Sequence, residues 1–232
     1  TDHHEIKLSA QIFLDELPNA LKAMDSPGGD GPNTYVVAKA TKNAGVTMAL
    51  SGLGGDELFA GYTTFKRITS AESKRWMESV PKIFRRAVGN SIKAIKKDSS
   101  SEKIAALLES DTFDFEYTYP LLRQTLFPGT ISKLLNHTIS HKHSVKNSAK
   151  EISGKITKKD FLITKISIAE INTYLQNVLL RDTDQMSMAH ALEVRVPFLD
   201  YELVEYILNL PDEYKEPVTS KKLLIDSMGD LL

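Results

Sequence analysis

The chain has 232 residues, a formal net charge of −1, and an ordinary share of apolar (41%) and charged (25%) residues. That length carries one large domain or two small ones, and the balanced charge argues against nucleic acid as main partner, since phosphate-tracking proteins need a basic surplus. The absence of cysteine excludes a disulfide framework, a thiolate zinc site, a cysteine nucleophile and a glutaminase of the N-terminal-cysteine type within this chain. No apolar run approaches the ~18 residues of a membrane span. No secretory leader is visible, so no membrane partner and a cytoplasmic location are the expectations.

In chain order, Glu5–Ser9 alternates, with Ile6 and Leu8 on one side, and predicts a strand. Opening so abruptly on a strand suggests a piece cut from a longer protein. His3, His4 and Glu5 precede it, but neighbours on a strand point to opposite faces and do not converge on one ion. Leu14, Leu17, Leu21 and Met24 recur at helical spacing and predict a helix over Asp15–Met24, with Pro18 in its first turn. Asp25-Ser26-Pro27-Gly28-Gly29-Asp30-Gly31-Pro32 is a turn by composition, and its carboxylates read first as caps and turn formers. A short helix over Thr34–Asn43 follows, with Val36, Val37 and Ala40 inward and Gly45 as its stop.

Val46–Leu50 predicts a short strand with Val46, Met48 and Leu50 as its apolar set. Gly52, Gly54 and Gly55 come next, then Asp56 and Glu57, then the apolar Leu58-Phe59-Ala60-Gly61-Tyr62. A strand running into a glycine-rich turn is how open α/β sheets build ligand crevices. Glycine lets backbone approach a ligand, and turn amides hold phosphate oxygens. The dinucleotide fingerprint is excluded because Glu57 stands where glycine or alanine is required. Two carboxylates beside a phosphate need a cation between them, which suggests a nucleotide phosphate bridged by Mg2+, with Asp56 the ligand. The alternative is a tight strand–helix turn with Asp56 as N-cap.

From Ile68 to Thr164 the chain reads as helical, over Trp76–Val88 and Ile92–Ile95 among others. Asp98-Ser99-Ser100-Ser101 is a polar break and the expected disordered spot. Lys93, Lys96 and Lys97 read as a solvated face, and His137, His141 and His143 as an exposed loop. Phe161–Arg181 predicts a helix with Ile168, Ile171, Leu175, Val178 and Leu179 as its stripe. Asp184, Arg195 and Asp200 are charged residues embedded in apolar sequence, where buried charges must be paired; Glu193–Arg195 and Asp200 read either as a structural clamp that pairs with itself or as direct contacts to substrate or phosphate. Met186 and Met188 read as core. Asp200 is placed to cap a helix closed by Pro211, with Leu203, Val204, Ile207 and Leu208 inward. Thr219 or Ser220 is placed to cap Lys221–Met228.

Three stretches resemble the asparagine synthetase family in its ATP-dependent synthetase domain. SGLGGDELFAGY (51–62) is similar to its SGxGxDExxxGY signature, LLRDTDQMSMAHALEVRVPFLD (179–200) to its RxxDxxSMAxxxExRxPFLD stretch, and Asp25-Ser26-Pro27 with Asp30 to its DxP…D segment. Their order and spacing fit, and the resemblance covers nearly the whole chain. It implies a mostly helical α/β fold: a partial adenine-nucleotide alpha-hydrolase-like, Rossmann-like parallel sheet over residues 1–65 and a helical region over residues 66–232. It implies an enzyme that uses ATP and Mg2+ to adenylate the side-chain carboxylate of aspartate and lets ammonia from glutamine displace AMP. By resemblance, Ser51, Gly52, Gly54 and Asp56 bind nucleotide, with Asp56 the metal ligand. Asp25, Asp30, Asp184 and Arg195 face substrate. Lys221, Tyr62 and Glu57 form the catalytic set, with Lys222 the alternative to Lys221.

The chain departs from the family pattern at three points. The SGGxDS pyrophosphate loop does not occur, which predicts inactivity for the chain alone. Leu53 replaces a usual glutamate, which opens the identity of the acceptor acid. Gln185 and Ile225 replace usual arginines. The alternatives are a relative with another acceptor (a polysaccharide-linked amidotransferase, or a ring-closing enzyme resembling β-lactam synthetases through Tyr62 and a lysine) and a non-catalytic interaction module. Strand edges that lack neighbours invite self-association, so a homo-oligomer is expected.

Overall fold

The computed structural model describes residues 3, 5–96, 98–136, 161–215 and 219–229. The fold is mostly helical α/β. The described strands, β1 (Met48–Leu50) and β2 (Glu193–Arg195), pair in parallel with Ala49 opposite Val194. Ser51 N–H donates to the Arg195 carbonyl at 2.8 Å and Glu193 N–H to the Thr47 carbonyl at 3.1 Å, so the ladder continues past both strand ends. The chain divides into two compact units, Thr1–Leu58 with Glu170–Leu210, and Phe59–Ala169 with Pro211–Leu232.

The first unit begins without the predicted strand, since residues 5–9 take no regular structure. Ser9 instead caps a longer helix, α1 (Ala10–Ala23), its hydroxyl accepting from Ile12 N–H at 3.2 Å. That earlier start moves Pro18 from the first turn into the interior, where it removes one ladder bond. The apolar face moves as well. Ala20 is buried, with Phe13, Ala23 and Met24 packed on the same core, whereas Leu14 and Leu21 are exposed. Helix α2 (Gly31–Asn43) begins earlier than Thr34 because Pro32 suits its first turn. It ends where Gly45, at φ +87°, returns its N–H to the Lys42 carbonyl at 2.9 Å. Tyr35 and Val36 are buried and Val37 is exposed. Strand β1 turns Ala49 inward and leaves Met48 and Leu50 exposed, the reverse of the alternation that the apolar set predicts.

After β1 come a single turn, α3 (Gly55–Leu58), and then the second unit. There α4 (Thr63–Glu72), α5 (Lys82–Ile95), α6 (Ser99–Glu109), α7 (Phe115–Arg123), α8 (Pro128–Leu135) and α9 (Leu162–Glu170) follow, with a 3-10 turn at Arg75–Ser79. Phe65, Ile68, Phe115, Tyr119, Ile163 and Ile166 form its core. The polar Asp98–Ser101 stretch is helical, not disordered. Asp98 caps α6 by accepting from Ser101 N–H at 2.7 Å, so the serines occupy a first turn that they suit when an acid precedes them. Gly89 lets α5 approach α6 closely, since a Cβ there would stand 3.2 Å from the Ala105 Cα. Lys97, His4, His137, His141 and His143 lie outside the described residues.

The chain returns through α9 into a π-wound stretch, Ile171–Leu180, and then α10 (Arg181–Met188). The single regular helix predicted for Phe161–Arg181 is therefore a compound one. Leu175, Leu179 and Met186 are buried. Met188 is 60% exposed and is not core. Asp200 caps α11 (Tyr201–Asn209), accepting from Glu202 N–H at 3.0 Å and Leu203 N–H at 3.3 Å, as its spacing predicts. The last helix, α12 (Lys222–Met228), starts one residue late, with Lys221 at its cap in a left-handed conformation. Among the described residues no helix is long and apolar enough to cross a membrane.

Candidate functional site

In the first unit the site is built on the turn after β1. Its three glycines have different surroundings. Gly54 sits at φ +91°, and a Cβ there would stand 2.5 Å from the Leu199 Cδ2. A Cβ on Gly55 would stand 3.4 Å from the Phe198 ring. Both glycines are buried. Packing against the Pro197–Leu199 turn, with positive φ at Gly54, accounts for these two positions without a ligand. Gly52 differs: it is exposed, its φ lies outside the left-handed range, and nothing stands within 4 Å of where a Cβ would be. Open backbone beyond the carboxyl end of a parallel strand is where such folds admit ligands. Ser51 Oγ accepts from Leu53 N–H at 3.3 Å, which fixes the turn between them.

Asp56 is half-buried and lies inside α3, so it is not the helix N-cap. Glu57, its neighbour, is 1% exposed. Among the described residues no three His, Cys, Asp or Glu side chains gather to hold a metal ion. A single carboxylate still suits Mg2+, which is commonly held by one or two carboxylates with substrate phosphates and water. Asp56 offers one such carboxylate at this turn.

The charges predicted to be buried are not. Asp184, Arg195 and Asp200 are exposed. Arg195 pairs with Glu193 at 2.8 Å along the same strand, with both side chains more than half exposed. The buried carboxylate of this segment is Asp182, 1% exposed. Its Oδ2 accepts from Asp30 N–H at 3.0 Å, and Arg181 donates to the Pro27 carbonyl at 3.0 Å. Sequence reasoning passed over Asp182. The signal was its place on the apolar face Leu175, Leu179, Met186, whereas Asp184 falls off that face. The structure thus brings the loop carrying Asp25 and Asp30 onto the start of α10.

The second unit gathers Tyr62 and the turn of Lys221. Ser220 Oγ donates to the Gly61 carbonyl at 2.9 Å, which ties the Lys221 turn to the residue before Tyr62. The guanidinium of Arg123 lies 5.7 Å from the centre of the Tyr62 ring. Lys103 donates to the Leu122 carbonyl at 2.7 Å. Burial foremost, then the charges of Arg67 and Arg123, holds its ammonium below its usual value. Lys221 has φ +56°, rare for a residue with a Cβ, and such positions cluster at functional sites. Lys222, the alternative, is exposed and pairs with Asp226 at 2.7 Å.

A parallel-stranded α/β protein with an open turn beyond the strand end is thus the class that fold and site define. The chain belongs to the asparagine synthase family, whose model matches residues 1–232. It is 29% identical to glutamine-hydrolysing asparagine synthetase 1 of Bacillus subtilis, over 94% of this chain and 33% of that protein. A putative glutamine-hydrolysing asparagine synthetase of Mycobacterium tuberculosis is 27% identical over 93% of this chain and 32% of its own. Asparagine synthetase 3 of Bacillus subtilis is 26% identical over 93% and 29%. The chain spans about a third of the length of these relatives. No solved structure matches it significantly.

Proposed function

We propose that this chain is part of an ATP-dependent amidotransferase that adenylates a carboxylic acid, the aspartate side chain foremost, and transfers ammonia derived from glutamine. The products are the amide, AMP and pyrophosphate. Family membership supports the ligase chemistry. The observation that carries the nucleotide site is Gly52, whose missing side chain serves neither packing nor backbone conformation. In this reading the β1–β2 pair belongs to a Rossmann-like parallel sheet of the adenine-nucleotide alpha-hydrolase type. Backbone groups of Ser51 and Gly52 hold the adenylate, with Gly54 shaping the turn beneath them. Asp56 holds Mg2+, which when bound neutralises phosphate charge. Lys221 neutralises charge on the departing pyrophosphate, an electrostatic role that commonly dominates such steps. Tyr62 orients the acid, Glu57 supports the turn from its buried position, and Asp25, Asp30, Asp184 and Arg195 contact substrate.

Leu53 can neither accept a proton nor bind a cation, so the acceptor acid is the most open part of this reading. A second acceptor class, ring closure by a Tyr–Lys pair, draws support from the Ser220 bond that ties the Lys221 turn to Gly61. The test is ATP–pyrophosphate exchange by the intact protein with aspartate and a panel of other acids. Aspartate-dependent exchange, abolished by Asp56→Ala, is the expected result. Exchange with another acid alone assigns a different acceptor. Silence with every acid overturns the enzyme reading in favour of an interaction module.

A further inference from the structure

Two consecutive residues of α10 grip the Pro27–Asp30 loop from one side. Arg181 donates to the Pro27 carbonyl and Asp182 accepts the Asp30 N–H, at 3.0 Å each. Between those bonds Gly28 lies directly on the Asp182 carboxylate, where a Cβ would stand 2.1 Å from Oδ1 and 2.3 Å from Oδ2. Asp182 is almost wholly buried, and its Oδ1 has no hydrogen bond among the described residues, with the Arg181 guanidinium 3.6 Å away. A carboxylate is costly to bury, and a neutral or apolar residue would pack at that place more cheaply. The Arg181 guanidinium beside it offsets part of that cost, and the remainder is offset by what the carboxylate holds, the backbone of one loop.

We infer that Asp182 is a positioning residue: with Gly28 as its seat and Arg181 beside it, it latches the loop that presents Asp25 and Asp30, and so sets affinity for the acceptor acid. The second half of this inference rests on the proposed function. Gly28 has no left-handed φ to explain it, so its lack of a side chain is explained by the carboxylate above it. A loop held at the Pro27 carbonyl and the Asp30 amide fixes Asp30 directly and anchors the chain two residues after Asp25. Acids that contact the bound acceptor lose that contact when the loop bearing them shifts, and the loss is read as weaker binding of the acid.

The test uses the intact protein with Asp182→Ala, Asp182→Asn, Gly28→Ala and the double variant Gly28→Ala/Asp182→Ala. Hydrogen exchange at the Asp30 amide is expected to quicken by about tenfold or more in Asp182→Ala and by less than about threefold in Asp182→Asn, which keeps an acceptor oxygen. Gly28→Ala alone is expected to raise the unfolding equilibrium constant by about tenfold or more, and by less than about threefold when Asp182 is already alanine. Equal effects of Gly28→Ala in both backgrounds, or an unchanged Asp30 amide, overturn the latch. For the acceptor half, Asp182→Ala is expected to raise KM for the acid by about tenfold or more while KM for ATP stays within about twofold. A fall in kcat alone, or equal rises in both KM values, overturns the positioning role. If no acid supports exchange even in the unsubstituted protein, the amidotransferase reading fails and takes the acceptor half with it. The amide and double-variant measurements still decide the latch.

Discussion

Replacing Gly54 and Gly52 in turn by alanine separates folding from ligand approach within one motif. At Gly54 the new Cβ meets two penalties. The backbone holds φ +91°, and the Leu199 Cδ2 stands 2.5 Å away. Positive φ disfavours an L side chain by about 1–2 kcal/mol, and pushing a side chain out of a packed site costs about 1–3 kcal/mol. Gly54→Ala is therefore expected to destabilise the protein by about 2–5 kcal/mol, the sum of those two ranges. Gly52→Ala meets neither penalty, because the site is open and φ is ordinary. Its effect on stability is expected to be neutral or favourable by up to about 1 kcal/mol, through the unfolded chain. Urea denaturation of both variants measures these values. In exchange assays Gly52→Ala is then expected to raise KM for ATP at unchanged stability. If it destabilises as Gly54→Ala does, or leaves KM for ATP untouched, the assignment of Gly52 to ligand approach is wrong.

Three further outcomes follow from the packing. Arg85 is 5% exposed and donates to the carbonyls of Val80, Leu108 and Ser110 at 3.0, 3.1 and 2.8 Å. Arg85→Leu strands these acceptors and is expected to cost about 2–5 kcal/mol in urea denaturation, whereas a loss below about 1 kcal/mol contradicts the pinning role. His190 is held below its usual value, by burial foremost and then by Lys39, against an opposing pull from Glu16. A native imidazole that resists protonation makes stability fall as pH drops below the unfolded value near 6.5, levelling off below the depressed native value. His190→Gln is expected to flatten that part of the stability–pH profile, and an unchanged slope assigns it to other groups. Asp98→Ala removes the cap of α6 and is expected to lower the melting temperature and speed amide exchange in its first turn, with no change if the stretch is disordered as its composition suggests.

Much of the architecture was legible because periodicity and punctuation act locally. Gly45 stops α2 and Pro211 follows α11, and both act through backbone geometry that needs no distant partner. The misreadings share a cause, which is that a cap or a partner decides between local alternatives. Ser9 wins the start of α1 over Asp15, and with it moves Pro18 and exchanges which leucines face inward. Asp98 turns a serine run from a breaker into a first helical turn. The short β1 strand was legible in position but not in face, since three residues of parallel ladder carry too little alternation to say which side is covered.

The candidate site shows the same division at the scale of single charges. Motif spacing picks out Asp184 and Arg195, and the structure leaves both at the surface. Burial picks out Asp182, which spacing does not mark. The two criteria measure different things. A residue that must reach a ligand needs exposure, so Asp184 and Arg195 in solvent are consistent with contact to a substrate; the expected Glu193–Arg195 pair forms, but in solvent and not as a buried clamp. A carboxylate on the apolar face of a helix must hold something to remain there. In this chain that something is the backbone of Pro27–Asp30, which bears one of the two motif acids, Asp30, and follows the other, Asp25, by two residues. The motif residue and the residue that positions it are therefore separated by about 150 positions in sequence. A reading that ranks charges by their place on the helix face, before their place in a motif, would have found the second from the first.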